Sequence, residues 1–273
     1  MPIIVLILIL CLIVAIVWFI KYRRKQQHEK LKATVFDPEW VLILQKNMGL
    51  YNKLPVPLRL KLHGLINVFL HEKNFSGFNG LIITDEIKVT IAAQACSLML
   101  NRDQSLYPTL YNIFVYPAAF KSVQTVSDGV VHTEQEVVRL GESWQRGHIV
   151  LSWQDAKQGG LNDKDGHNVI YHEFAHQLDN DDGAIDGTPV LDSAENYSSW
   201  IKVFEQEYLH LRDEVYADKK TLIDSYGAES EGEFFAVVTE LFFEKPKQFE
   251  KKHPALYKEL ARFYRLNPVE WIS

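Results

Sequence analysis

Apolar and polar positions alternate along this chain in patterns that each predict an element. Residues 1–20, MPIIVLILILCLIVAIVWFI, carry no charged side chain. At about 1.5 Å per residue, such a run spans the hydrocarbon core of a bilayer with little tilt. Asp37-Pro38 sets a capping carboxylate before a proline suited to the first helical position, which predicts a helix to about Met48. Leu54-Pro55-Val56-Pro57 is a rigid break, after which Leu58, Leu62, Leu65, Ile66 and Phe69 recur at helical spacing over residues 58–73. FSGFNGLII, at 75–83, combines turn residues with a short apolar strand, and Thr84-Asp85-Glu86 opens a helix to about Leu100.

The middle of the chain reads as β-rich. Strands are predicted at Asn112–Tyr116, Gly129–Leu140 and His148–Trp153, with Gly141 and Arg146-Gly147 marking the turn between the last two. Trp153 is expected in the core. A strand just upstream of a buried helix often forms a sheet edge, so His148–Trp153 is expected to be open to an extended peptide. The Gly-, Asp- and Asn-rich stretch 155–168 predicts a loop. In VIYHEFAHQLDN, at 169–180, Val169, Ile170, Phe174, Ala175 and Leu178 predict a buried helix, stopped by Asn180-Asp181-Asp182-Gly183. A surface helix follows over 195–214. In SYGAESEGEFFAVVTELFF, at 225–243, a loop leads to a helix from about Ser230, whose core face is Phe234, Val237, Val238, Leu241 and Phe242. Helical segments over 246–264 close the chain. The predicted class is α+β, mainly helical, with a small mixed β-sheet against the 169–180 helix.

Charge changes the reading of the N-terminus. Lys21, Arg23, Arg24 and Lys25 follow the apolar run directly. A secretory signal peptide would carry its positive charge before the run and small residues after it. An uncleaved transmembrane anchor over 1–20 is therefore expected, with a basic juxtamembrane segment over 21–34 meeting anionic head groups. The positive-inside bias puts the rest in the cytoplasm, as a single-pass protein of the bacterial inner membrane. Of 29 Lys+Arg and 35 Asp+Glu, residues 21–32 hold six basic and one acidic, which leaves 23 basic against 34 acidic elsewhere. So acidic a remainder argues against direct nucleic-acid binding. Cys11 and Cys96 make no disulfide framework or cysteine-type zinc site, so any metal must use histidine and carboxylate.

His172-Glu173-Phe174-Ala175-His176 is an H-E-x-x-H. On a helix, positions i and i+4 lie on one face, so both imidazoles can address one zinc ion, with Glu173 placed as general base toward a water there. His63 and His71 have no carboxylate at ligand spacing and are expected to be structural or solvent-facing. A third ligand is open on spacing alone. Asp182 lies six residues after His176, where the metzincin pattern has its third histidine, but Asp179 replaces that pattern's turning glycine and no methionine follows Met99. Glu233, in the first turn of a helix and beside Phe234 and Phe235, either faces solvent or meets a cation. Asp179 and Glu240 stand one and two turns from candidate ligands. Each either orients a ligand imidazole or serves as a helix cap and a surface charge, respectively.

HEFAHQLD, Tyr226 and EFFAVVTELFFEKP resemble the Mlc titration factor A family of zinc peptidases, as do GFNGLIITDEIKVTIAAQAC at 77–96 and VLSWQDAKQGG at 150–160. The resemblance covers residues 35–273, and around the zinc the family is similar to the catalytic domain of anthrax lethal factor. It implies a zincin-type metallopeptidase domain over 35–273 holding one Zn²⁺ through His172, His176 and Glu233. It also implies Glu173 as general base, Tyr226 as oxyanion stabiliser and a peptide or protein substrate. Because the family is named for titrating the glucose-responsive repressor Mlc, it implies as an alternative a module that sequesters a transcriptional repressor at the membrane. Two departures stand out: the membrane span, and Val237 where lethal factor has a second carboxylate one turn beyond its ligand.

Overall fold

The computed structural model describes residues 2–271, apart from 103, 119, 128–131, 140 and 143–146. Two helices buried along nearly their whole length form its centre. In α9 (Glu231–Glu244) every residue after the first is buried, and in α5 (Asp85–Ser97) so is everything from Val89 on. The predicted Thr84 cap is present, its side chain accepting from the Ile87 amide. α7 (Val169–Asp179) packs against both, while α8 (Ala194–Tyr216), α10 (Pro246–Lys252) and α11 (Pro254–Tyr264) pack against α9. Trp200 stacks on Phe204 at 3.9 Å between ring centroids and meets Phe235 and Phe263, which joins α8, α9 and α11 in one aromatic layer. Such rings bury large areas and prefer these offset and edge contacts.

The sheet is small and mixed, in the order β1-β2-β6-β5. β1 (Asn74–Gly77), β2 (Asn112–Tyr116) and β6 (His148–Ser152) are parallel, and β5 (Gly141–Glu142) is antiparallel to β6. Ile113, Val115, Ile149 and Leu151 point inward and are fully buried. The α+β architecture is as the pattern predicts, but β6 is not an edge. β2 covers one side, and Gly141 and Glu142 pair with Leu151 and Val150 on the other. A separate antiparallel hairpin joins β3 (Phe120–Ser127) to β4 (His132–Arg139). The strand expected over 129–140 is thus described as His132–Arg139; its ends at 129–131 and 140, and the expected turn residue Arg146, lie outside the described residues.

The loop expected over 155–168 is half helix. α6 (Trp153–Leu161) is capped by Ser152, whose hydroxyl accepts from the Asp155 amide. Its glycines serve close packing: a Cβ on Gly160 would lie 2.4 Å from the Asn47 carbonyl at the end of α2 (Pro38–Asn47). Trp153, at the helix start, packs partly buried against the core.

α1 (Pro2–Lys32) continues straight through the basic segment, and its second half lies antiparallel on α4 (Val56–Glu72). Arg24 and His28 both reach Glu72 at 2.7 Å, Gln27 meets His71 at 2.7 Å, and Asn67 donates to the Leu31 carbonyl at 3.2 Å. Among the described residues α1 is the one helix long and apolar enough to cross a membrane, and the large apolar side chains described along it from Ile3 to Ile20 are exposed. His63 stacks on Phe36 at 4.0 Å and pairs with the Tyr51 hydroxyl, so it is structural, while His71 faces solvent beside Gln27.

Candidate metal centre

The motif helix starts where its sequence says it should. Asn168 is the N-cap, its side-chain oxygen accepting from the Ile170 and Tyr171 amides. Phe174, on the core face, is wedged between Phe69 and Tyr107, with ring centroids 5.9 and 4.7 Å away. That fixes the helix's rotation and turns His172 and His176 the other way, their rings 4.9 Å apart. From α9, Glu233 meets them. It occupies the first turn, where the helix dipole favours a carboxylate, and its amide donates to the Ser230 cap.

Three donor atoms converge there. Glu233 Oε2 lies 2.9 Å from His172 Nε2 and 3.3 Å from His176 Nε2, and the three candidate ligand atoms fall within 4.8 Å of one another. Bonds of about 2.0–2.1 Å at tetrahedral angles set ligand atoms roughly 3.3 Å apart, so this trio fits one small divalent cation. The cluster could hold a metal ion. Asp182 is not part of it: it is exposed, and its carboxylate accepts from the Ala184 amide.

The electrostatics fit a cation as well. Burial alone would raise the Glu233 carboxyl, but hydrogen bonds from His172 and His176 outweigh it and bring it down to about 2. Burial likewise opposes the charged form of His172, yet the hydrogen bonds its ring donates to Glu233 and Glu240 carry its pKa well above the ordinary imidazole value. Glu173 is buried beside them with one carboxylate oxygen unpartnered among the described residues. Burial first, and then the neighbouring Glu233 and Glu240 charges, push it up to about 8. His176 Nδ1 is also buried without a partner among them. Buried polar atoms are rarely left so without reason. Tyr226 sits on a short turn before α9, half exposed, its ring 5.8 Å from that of His172. Burial, then the charge of Glu233, lifts that phenol to about 12.

The two neighbouring acids differ. Glu240 is buried and is no surface charge. One of its carboxylate oxygens lies 2.8 Å from His172 Nδ1 and the other accepts from the Asn168 amide, so it fixes both the ring and the start of its helix. That arrangement leaves Nε2 facing the cluster, the carboxylate–histidine pairing usual beside metals. Asp179 instead accepts from the Gly187 amide at 2.9 Å, pinning the 183–187 turn against the start of α9, where a Cβ on Gly187 would sit 2.5 Å from the Glu231 carbonyl.

A further layer escapes sequence reasoning. Glu244 accepts from the Gly166 amide, and Gln94 accepts from the Asn168 side chain at 2.9 Å. Burial pushes Glu244 up to about 9. Asn168 before an apolar helix was the one available signal.

The family model for glucose-regulated metallo-peptidase M90 matches residues 19–265. An uncharacterized protein of Synechocystis sp. (strain ATCC 27184 / PCC 6803 / Kazusa) is 41% identical over 271 residues, 98% of each chain. Mlc titration factor A proteins of Yersinia pestis (strain Pestoides F) and Yersinia pseudotuberculosis serotype O:1b are each 29% identical over 232 residues, 82% of this chain and 83% of theirs. The resemblance to Mlc titration factor A therefore holds over most of the sequence. With a metal-sized cluster at the H-E-x-x-H and a family match running from the end of the apolar helix to α11, the chain belongs to the glucose-regulated metallo-peptidase M90 family.

Proposed function

We propose that this chain is a zinc-dependent peptidase, held at the bacterial inner membrane by residues 1–20 with residues 35–273 working in the cytoplasm. The observation that carries the proposal is the meeting of His172, His176 and Glu233 around one point, with the unpartnered carboxylate of Glu173 beside it. Two imidazoles and a carboxylate, without a thiol, are a zinc donor set that leaves a position open. Zinc bound there would supply Lewis acidity to the substrate carbonyl and to water. Glu173, buried beside the cluster with one carboxylate oxygen unpartnered among the described residues, is placed to take a proton from water and return it to the leaving amine. Tyr226, with its phenol at about 12, stays protonated and can donate to the oxyanion that forms on the substrate carbonyl. Glu240 keeps His172 in one tautomer and orientation. The basic cluster after the apolar run supports the cytoplasmic orientation.

A metal-loaded full chain should cleave members of a broad peptide library, and Glu173→Gln should keep the metal and lose the cleavage. A metal-loaded wild type that cleaves nothing would end the peptidase proposal. The Yersinia relatives' name, Mlc titration factor A, favours a second reading: sequestration of a transcriptional repressor at the membrane, with or without cleavage. Repressor capture that survives in Glu173→Gln would make the two roles separable.

A further inference from the structure

A cavity of about 750 Å³ lies between the second half of α1, the face of α4 around Gly64 and the segments at 100–102 and 104–106. Lys21, Arg24, Lys25 and Lys32 line it from α1, Lys61 from α4 and Arg102 from the turn after α5; Glu29 is its single carboxylate. The α1 residues fall at positions i, i+3, i+4 and i+11, which is one helix face. Arg23, at the same depth, is on another face, over the Phe19 ring. Arg24 is spent on Glu72, Lys32 on Glu29, and Arg102 on the Phe263 carbonyl and Gln104. Lys21 and Lys25 have no carboxylate partner among the described residues, and Lys61 meets only the neutral side chain of Asn101, at 2.9 Å. Three positive charges are therefore left facing one space. Its floor is apolar: Val68, Leu100 and Leu106 are buried beneath it.

Depth identifies the occupant. Lys21–Lys25 lie within about 8 Å of the end of the apolar run at the helical rise. The headgroup layer is about 5–8 Å thick on each side of a bilayer. A soluble anion would use only the cations, whereas a phospholipid brings an anion to the lysines and apolar glycerol-ester atoms to the floor. We infer that this groove binds the headgroup phosphate of an anionic phospholipid from the leaflet that α1 enters. The inference rests on the membrane anchoring proposed above. Such a lipid would tie α1 to the peptidase domain and fix the domain's orientation at the surface.

The test uses the full chain in neutral detergent, titrated with phosphatidylglycerol, phosphatidylcholine or inorganic phosphate and read by native mass spectrometry. Phosphatidylglycerol should bind at least about fivefold more tightly than phosphatidylcholine, and Lys25→Glu should remove about fivefold, the factor one lysine carries at an anionic surface. Arg23→Glu, the same charge change at the same depth, should lose less than twofold. Equal losses in Lys25→Glu and Arg23→Glu would mean diffuse attraction and overturn the groove. No preference over phosphatidylcholine would overturn it too, as would inorganic phosphate binding as tightly as the lipid. Metal content in the same samples reports an intact fold. A chain that does not enter micelles at all would refute the anchor itself, before any lipid is compared.

Discussion

Two helix pairs in this molecule are joined by a glutamate that meets a histidine, and they differ in what balances the charge. Between α1 and α4, Glu72 meets His28, and Arg24 lies 2.7 Å from the same oxygen. Burial would raise that carboxyl, but Arg24 and His28 outweigh it and hold it below its ordinary value. Between α7 and α9, Glu233 and Glu240 meet His172 with Glu173 alongside, and among the described residues no lysine or arginine pairs with any of the three. In the first contact the Arg24 guanidinium matches the carboxylate's charge. The buried one gathers negative charge in a place where charge is expensive unless paired or bound to metal. What looks like the same contact twice is a charge-matched clasp in one case and, in the other, a cluster that could hold a metal ion.

The comparison can be broken most severely at the buried cluster. His176→Ala should abolish stoichiometric zinc binding and with it peptide cleavage, read by metal analysis and by a fluorogenic peptide. Tyr226→Phe should keep the zinc and lower kcat by roughly 10²–10³, the usual effect of losing one oxyanion donor. An unchanged kcat would remove Tyr226 from the chemistry. Glu240→Gln has one acceptor oxygen for two donors, His172 Nδ1 and the Asn168 amide, so zinc affinity should fall about 10–100-fold in a chelator competition.

Smaller effects sharpen the contrast. Glu244 has a folded pKa of about 9, above its ordinary value, so the folded chain binds a proton that the unfolded chain releases. Its contribution is fully present below the unfolded pKa and is lost as pH rises toward about 9. Glu244→Gln keeps an acceptor for Gly166 and carries no charge. It should raise Tm by about 2–4 °C at pH 8 and change it little at pH 5. A larger gain at pH 5 would reverse the sign. Glu72→Gln, at the balanced clasp, should cost about 1 kcal/mol or less and leave zinc content unchanged.

Much of this was legible in the chain because it was local and periodic. The H-E-x-x-H helix, its Asn180–Gly183 stop and the apolar stripe of α9 all follow from spacing. Glu233 was one of two candidates for the third position, and Asp182 stays outside the cluster because its carboxylate is used locally, on Ala184. The misses come from contacts between distant segments. Two residues, Gly141 and Glu142, suffice to cover β6, and no propensity marks so short a strand. Gly159-Gly160 reads as a break, yet it is the price of close helix packing against Asn47 and Asn168. The docking of α1 on α4 spans more than 40 residues of sequence, as in Arg24 to Glu72, and its side chains look like any basic juxtamembrane run. The carboxylate absent at Val237, itself buried in the core, is supplied one turn later by Glu240.

In the proposed site α7 and α9 hold one metal ion through His172, His176 and Glu233. Zinc per chain, measured by plasma mass spectrometry on the purified full chain and on two variants, tests it most directly. About one zinc in the wild type and in Asp182→Ala, with little in Glu233→Ala, is the predicted result. Zinc retained in Glu233→Ala and lost in Asp182→Ala would contradict it and move the site to the loop after α7.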